Sequence, residues 1–460
     1  MTKPNIILIN CDDLGYGDLG CYGSTVNKTP HIDQLANEGM RLTDFYMASP
    51  VCSASRAGML TGCYPARIGF TEHQVLFPGD PWGLSAEETT IARQLKKADY
   101  ATKIIGKWHC GDQPEFLPTE HGFDEYFGIP YSNDMGRQAS PRDNPPLPLL
   151  RNKTVIQAQP DQRGITERYT DEALQFIQVN QEKPFFLYLA HMYVHVPLFV
   201  PKQFLDKSDN GAYGGAVECI DWSTGVIMNM LDQLGLKENT FIIFTSDNGS
   251  RARDEGGSNS PCSGTKGSTW EGGIRVPCIM RWPKEIEKGR LSSDITRSID
   301  LLPTLSKIVG VELPKLQIDG VDLSSHIKDE NVKPPNETFC YYFCNDLSAV
   351  RIGDWKLHLF RNDKDNVMLD DKFELYNLRE DVAESNNLAD EYPDVVNKLL
   401  EYAERIRSEL GDDIKGVTGS GVRPIGKVSD DQAVPLTTYK EDYPYMIAEY
   451  DLPDMPTMYG

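Results

Sequence analysis

Basic charge is what this 460-residue chain has too little of: 46 Lys and Arg stand against 68 Asp and Glu, a net charge of −22. A protein that tracks a phosphate backbone needs the opposite balance, which argues against nucleic-acid binding. Long apolar runs are missing as well. No stretch approaches 18 uninterrupted apolar residues, and the chain enters its first apolar run at Ile6 without a leader or cleavage site. A membrane span is therefore not expected, and the chain reads as cytosolic or as one whose export signal was removed before this numbering begins. Cysteine is sparse: ten residues without a Cys-x-x-Cys pair argue against a disulfide scaffold and a paired-cysteine zinc site, and leave the compartment open. Internal repeats and low-complexity tracts are also lacking. What remains is 40% hydrophobic, 10% aromatic and 25% charged, the make-up of a folded globular protein of one large or two to three ordinary domains.

Over roughly the first three hundred residues, short apolar runs alternate with helical patterns, as βαβ units do. Ile6–Ile9, Ala101–Ile105, Phe185–Leu189 and Phe241–Phe244 read as strands buried on both faces. Helices are expected at Ile32–Glu38, Thr90–Ala98, Thr166–Asn180 and Gly214–Leu234. Pro141–Pro148 and the Gly- and Ser-rich Gly249–Thr269 read as irregular loops. After about Asn336 the texture changes to strands without long helices between them (Phe339–Phe343, Ala349–Ile352, Trp355–Phe360, Phe373–Tyr376), then a helix over Asp394–Leu410. The expectation is an α/β domain over 1–335, its parallel or mixed sheet sandwiched by helices. A smaller α+β domain over 336–460 follows, with an antiparallel sheet and a C-terminal strap from Gly411 lying over the body.

Ligands of open α/β sheets bind beyond the carboxyl ends of the strands. Reading just past each run gives Asp12 and Asp13, then Lys107 and His109, then His191 and His195, then Asp247 and Asn248. Each pair alone has a local explanation as a turn or a cap; four competent strand ends together point to a site. Asp12, Asp13, Asp247 and Asn248 offer only oxygen, which suits Ca²⁺ or Mg²⁺ rather than zinc. A helix beginning near Ser53 puts Cys52 at its N-terminus, where free N–H groups and the dipole favour an anion or a lowered thiol pKa. A buried structural cysteine is the plain alternative.

The stretch Cys52-Ser53-Ala54-Ser55-Arg56 resembles the motif of type I sulfatases, Cys-x-Pro/Ala-x-Arg, in which the cysteine is oxidised to Cα-formylglycine. Asp12 to Asp18, Thr29 to Ala36, Gly106-Lys107-Trp108-His109, His195-Val196-Pro197, Thr245 to Gly249, Lys266 with Glu271 to Pro277, Gly353 to Lys356 and Glu374 to Leu378 are similar to the family's text in the same order. Gly128 to Asp134 looks closest to the arylsulfatase A and N-acetylgalactosamine-6-sulfatase group. One departure stands at Cys63, where many members carry Arg after Leu-Thr-Gly. That segment helps the maturation enzyme recognise its target.

The resemblance implies an alkaline-phosphatase-like fold and a sulfuric ester hydrolase working through a formylglycine hydrate and a covalent sulfo-enzyme. It makes Asp12, Asp13, Asp247, Asn248 and modified Cys52 the Ca²⁺ ligands, with Mg²⁺ as the alternative metal. Arg56, Lys107 and Lys266 would hold the sulfate oxygens, Ser132 would assist, and His109 and His195 would move protons. His191 reads instead as a hydrogen-bonded histidine near the pocket wall. The implied partners are a sulfated carbohydrate, cleaved near a chain end, or an aryl sulfate, together with a formylglycine-generating enzyme. The implied setting is periplasmic or secreted. Arg137, Arg142, Arg251 and Arg253, in the loops Tyr131–Pro148 and Arg251–Ser263, are candidates for further anionic groups of a glycan, with a solvated surface arginine as the plain alternative for each. The rival readings are a phosphonate monoester or phosphodiester hydrolase of the same superfamily, and an inactive sulfated-glycan binder. An overall charge of −22 is no obstacle, because local potential decides what enters a pocket.

Overall fold

The computed structural model describes residues 3–137, 144–363, 366–368 and 373–438. Its centre is a ten-stranded sheet in the order Arg290–Ser292, Met40–Leu42, Cys278–Arg281, Thr240–Ser246, Asn5–Cys11, Phe185–Ala190, Ala101–Gly106, Glu125–Gly128, Pro148–Arg151 and Thr154–Ala158. Thr240–Ser246 through Glu125–Gly128 run parallel to one another, while Cys278–Arg281 and Pro148–Arg151 pair antiparallel on either flank. The four expected central strands are present. The flanking strands were not expected, being short and of mixed polarity. One of them begins at Pro148, at the end of the expected irregular loop.

Alternation explains why the central runs are apolar throughout. Ile6 and Leu8 face one core, shared with Ala54, Ala57 and Leu60 of the helix Cys52–Thr61 and Leu302 and Leu305 of the helix Leu301–Val309. Ile7 and Ile9 face the other, shared with Ile32 and Leu35 of Pro30–Asn37, Ala173 and Ile177 of Ile165–Val179 and Ile220 and Ile227 of Gly211–Gln233. Both faces are covered, so neither set of side chains meets water.

A second sheet, Thr338–Phe343, Asp346–Ile352, Trp355–His358 and Glu374–Asn377, is antiparallel throughout and carries the helix Pro393–Leu410. Its core continues into the first body: Phe339, Tyr341 and Leu357 share one apolar cluster with Tyr46, Tyr64, Ile274 and Ile299. Charge crosses the same boundary. Lys356 Nζ, fully buried, donates to Thr269 O at 2.9 Å and lies 3.1 Å from Glu271 and 2.7 Å from Glu384. Arg351 from the second sheet and Arg275 from the first body both hold Asp44, at 3.0 and 2.8 Å.

The described part of the strap returns to the first body. Gly426 and Lys427 pair with Gly83 and Trp82, and Arg423 grips Glu88 with Nε at 2.7 Å and Nη2 at 2.9 Å. The same guanidinium passes 3.5 Å from Cys63 Sγ. Among the described residues, no helix is long and apolar enough to cross a membrane.

Candidate active site

Backbone hydrogen bonds draw the carboxyl ends of the central strands into one cluster. Asp247 N donates to Cys11 O at 3.0 Å, Lys107 N to Ala190 O at 2.8 Å, Asp12 N to Tyr193 O at 3.0 Å and His109 N to Pro130 O at 2.9 Å. Gly106, immediately before Lys107, has φ 108° and no room for a Cβ, which would fall 1.8 Å from Ala190 O. Asp13 and His109 both sit at φ 62°, a conformation non-glycine residues adopt rarely, Asp and His more readily than most.

Cys52 opens a helix whose ten residues are all buried and which ends on Gly62 at φ 72°. One turn on, the helix presents Arg56. The loop carrying Lys266 is tied to the chain just before that helix by Gly267 N donating to Pro50 O at 3.0 Å. Cys52, Arg56 and Lys266 therefore converge from two segments on the four strand ends.

Each carboxylate there meets a cation. Lys107 Nζ donates to Asp12 Oδ2 at 2.6 Å and Lys266 Nζ lies 2.9 Å from Asp13 Oδ1. Arg56 Nε donates to Asp247 Oδ2 at 2.8 Å, and its Nη1 donates to Lys107 O at 2.9 Å. Arg56 Nη2 lies 2.8 Å from Asp247 Oδ2 without hydrogen-bond alignment, so its protons remain unspent in a buried position. Three carboxylates and three cations leave the cluster near neutrality. Burial would raise the Asp13 pKa, but Lys266, His195 and Lys107 outweigh it and hold the carboxyl well below the usual range. At Asp247 burial prevails over Arg56 and the pKa rises to about 6.

The same residues fit a hard divalent cation. The ligand atoms of Asp12, Cys52 and Asp247, and those of Asp13, Cys52 and His195, each lie within 4.8 Å of one another. Asn248 Nδ2 donates to Asp13 Oδ1 at 2.7 Å and to Gly249 O at 2.9 Å, which fixes the amide and leaves its buried Oδ1 without a hydrogen-bond partner. An orphaned amide oxygen beside three carboxylates is the donor set of Ca²⁺ or Mg²⁺. Cys52 Sγ lies 3.7 Å from Asp12 Oδ1. The lowered thiol pKa expected at the helix N-terminus is not found: burial pushes it up to about 12, outweighing Lys107 and Lys266.

Both candidate proton-transfer histidines are held through one nitrogen by an oxygen that can only accept. His109 Nε2 meets Leu76 O at 3.0 Å, so Nε2 carries the proton and the buried, unpartnered Nδ1 is the basic atom. Leu76 is itself held by its N–H donating to Ser53 Oγ at 3.1 Å, inside the Cys52 helix. His195 Nδ1 contacts Val196 O and, at 3.1 Å, Asn133 Oδ1, while Nε2 lies 3.8 Å from Asp13 Oδ2. Burial, then Lys266, lowers the His195 pKa to about 4. Burial, then Lys107, holds His109 well below its ordinary value.

Ser132 Oγ accepts from Lys107 Nζ at 3.0 Å, which places it in the cluster. Contrary to the expected hydrogen-bonded histidine, His191 makes no hydrogen bond through either ring nitrogen; it is fully buried, and burial lowers its pKa to about 3. Of the loop arginines, Arg137 and Arg253 are exposed, Arg251 is buried at 2% exposure rather than a solvated surface group, and Arg142 lies outside the described residues. The roles of Leu76, Asn133 and Ser53 are not legible in the sequence: a backbone carbonyl and two small polar side chains carry no such signal until the fold brings Leu76 and Asn133 to a histidine and Ser53 to Leu76.

A sulfatase family model matches residues 4–311, and one described as N-sulphoglucosamine sulphohydrolase, C-terminal, matches 265–409. Human arylsulfatase A is 40% identical over 383 residues, covering 78% of this chain and 75% of that protein. Mouse N-acetylgalactosamine-6-sulfatase is 40% identical over 387 residues, covering 78% and 72%. Among solved structures, Ps i-CgsB in complex with a neocarrahexaose superimposes with a TM-score of 0.76 at 30% identity, covering 88% of this chain and 92% of that one. A Bacteroides thetaiotaomicron protein from a glycosaminoglycan-metabolism locus gives 0.77 at 30%, covering 89% and 100%. A phosphonate monoester hydrolase of Agrobacterium radiobacter, at 19% identity and a TM-score of 0.62 over 88% of this chain and 95% of that one, shares the fold.

Proposed function

The chain belongs to the sulfatase family and is a sulfuric ester hydrolase, and from that premise we propose that residue 52 is its nucleophile after conversion to formylglycine. The observation that carries this is the position of Cys52 against Asp12, its Sγ grouped with Asp247, Asp13 and His195 and within the electrostatic reach of Arg56, Lys107 and Lys266. A thiol whose pKa is pushed up to about 12 is a poor nucleophile at neutral pH. Converted to an aldehyde hydrate, residue 52 supplies two hydroxyls on one carbon: one to attack sulfur, the other to release the sulfate when deprotonated.

Asp12, Asp13, Asp247 and Asn248 would hold the cation, Ca²⁺ or Mg²⁺, completed by residue 52. When bound, it supplies charge neutralisation at the sulfate and lowers the pKa of a neighbouring hydroxyl. Arg56, through the unspent protons on Nη2, and the ammonium groups of Lys107 and Lys266 receive the sulfate oxygens, and Ser132 sets Lys107. His195, protonated on both ring nitrogens beside the anionic sulfate, hands the Nε2 proton to the departing alcohol oxygen, assisted by Lys266. His109 takes a proton at Nδ1, its unpartnered nitrogen.

The substrate we infer is a sulfated carbohydrate cleaved near a chain end. Relatives named N-acetylgalactosamine-6-sulfatase and the structural likeness to a protein bound to a neocarrahexaose support that reading. Arg137 and Arg253 are exposed and lie in the loops that a longer anionic glycan would meet. A phosphonate ester hydrolase is not favoured, since that neighbour shares the fold alone, and a silent glycan binder has no need of a complete proton-transfer set. The family's usual place outside the cytosol supports a periplasmic or secreted setting. Cys52→Ser and Cys52→Ala are expected to be folded by circular dichroism and inactive or nearly so on an aryl sulfate. Turnover near wild type in either variant would remove residue 52 as the nucleophile.

A further inference from the structure

His195 is placed by a chain of hydrogen bonds from a different loop. Asn133, in the turn Asn133–Met135, is fully buried, and its Nδ2 donates to Pro197 O at 2.8 Å and to Gln162 Oε1 at 3.1 Å. Pro197 O is a carbonyl and can only accept, so the nitrogen of the Asn133 amide must face it. Its oxygen Oδ1 must then be the atom that faces His195 Nδ1, at 3.1 Å. The second acceptor at Nδ1 is Val196 O, from the histidine's own neighbour. A contact to the next residue fixes the tautomer but moves with the loop. Asn133 belongs to the segment following the strand Glu125–Gly128 and fixes the ring against another element. Gln162 is fixed in turn, its Oε1 and backbone O both accepting from the buried Tyr193 hydroxyl at 3.2 and 3.1 Å.

We propose that Asn133 is a positioning residue for proton transfer: it holds His195 as the tautomer protonated on Nδ1 and aims Nε2 at the position of the leaving oxygen. This rests on His195 being the proton donor. Without Asn133 the imidazole can rotate about its side-chain torsions, and a donor out of reach protonates nothing, since proton transfer needs heavy-atom distances of about 2.6–3.2 Å. With both acceptors at Nδ1, Nε2 is the ring nitrogen left clear of them, 3.8 Å from Asp13 Oδ2.

A donor to the leaving group matters most when the leaving group is poor. The test compares kcat and KM across 4-nitrophenyl, phenyl and 4-methoxyphenyl sulfate for wild type, His195→Ala, Asn133→Leu and Gln162→Leu, each preparation checked by mass for equal conversion at residue 52. For Asn133→Leu we expect kcat on 4-methoxyphenyl sulfate to fall about 100-fold, the low end of a general-acid contribution, with KM within about twofold. On 4-nitrophenyl sulfate, whose phenolate leaves unaided, the fall should be less than about fivefold. Gln162→Leu should show the same slope at smaller size, and decides the matter if Asn133→Leu does not fold. A loss of equal size on all three esters, as a merely structural role would give, or no loss, overturns the positioning role while His195→Ala is leaving-group dependent. If His195→Ala is itself independent of the leaving group, the donor assignment fails first and the proposal falls with it.

Discussion

Lys356 ties the second sheet to the loop that carries Lys266, and replacing it with methionine separates charge from packing. The methionine keeps an apolar stem near the Tyr341 ring, over which the ammonium now sits 4.0 Å from the centroid. It removes the donor to Thr269 O and the counter-charge to the buried carboxylates of Glu271 and Glu384. Breaking a buried ion pair by removing one partner is worth about 3–5 kcal/mol. Glu271 retains Arg275 at 3.4 Å with the Tyr46 and Tyr341 hydroxyls, and Glu384 retains His358 at 2.7 Å, so the low end applies, ~3 kcal/mol. At about 2.1 cal/mol/K per residue, a chain of 460 residues unfolds with an entropy of roughly 1 kcal/mol/K, and Tm should fall by about 3 °C. The pH dependence has a definite sign. Burial would raise the Glu271 pKa, but Lys356, Arg275 and Arg351 outweigh it and hold it at about 2. Its stabilising contribution is complete above the unfolded value near 4.5 and is lost as pH falls from there towards 2. In Lys356→Met that carboxyl protonates at higher pH, so the Tm difference from wild type should narrow as pH drops below about 4.5. Thermal unfolding followed by circular dichroism at pH 7 and pH 4 reads both effects, and Lys356→Met with Glu384→Gln should recover part of the loss. A Tm change under about 1 °C at pH 7, or a gap that widens at pH 4, would refute the reasoning.

Other outcomes follow from the site itself. Thorough removal of divalent cations should abolish hydrolysis, and adding Ca²⁺ back at about 100 times its dissociation constant should restore it with a gain of ~2.7 kcal/mol in stability, about 3 °C in Tm; full activity in cation-free protein would remove the metal role. For matched aryl esters, kcat/KM for sulfate should exceed that for phosphate; the reverse order would favour the phosphonate hydrolase reading. In a screen of sulfated mono- and oligosaccharides, at least one is expected to be cleaved with a kcat/KM above that of 4-nitrophenyl sulfate, and a screen that finds only aryl esters cleaved counts against a carbohydrate substrate.

The parts of this molecule that were legible in its sequence are those where one residue type suffices. Runs such as Ile6–Ile9 are apolar on every position because two cores claim alternate side chains, and the acids and histidines just past them are where the strand-end rule says to look. Cys52 was expected at a helix N-terminus and is there. Its sequence leaves a lowered thiol pKa and a buried cysteine both open; the structure buries it and the pKa rises, because burial depends on the packing of distant segments that the local sequence does not show. The flanking strands were missed because strands as short as Met40–Leu42 and Arg290–Ser292 carry too few residues to show a period. The groups that hold the histidines were missed for a related reason: Leu76 O and Asn133 lie 33 and 62 residues from the rings they hold. Only the fold makes them neighbours.

Conversion of residue 52 is the step on which the chemistry depends, and peptide mass spectrometry across Val51–Arg56, on protein from its native host and assayed for aryl sulfate hydrolysis, reads it directly. The expected result is an aldehyde at residue 52 in a fraction that tracks specific activity; a quantitative free thiol in fully active protein would contradict it.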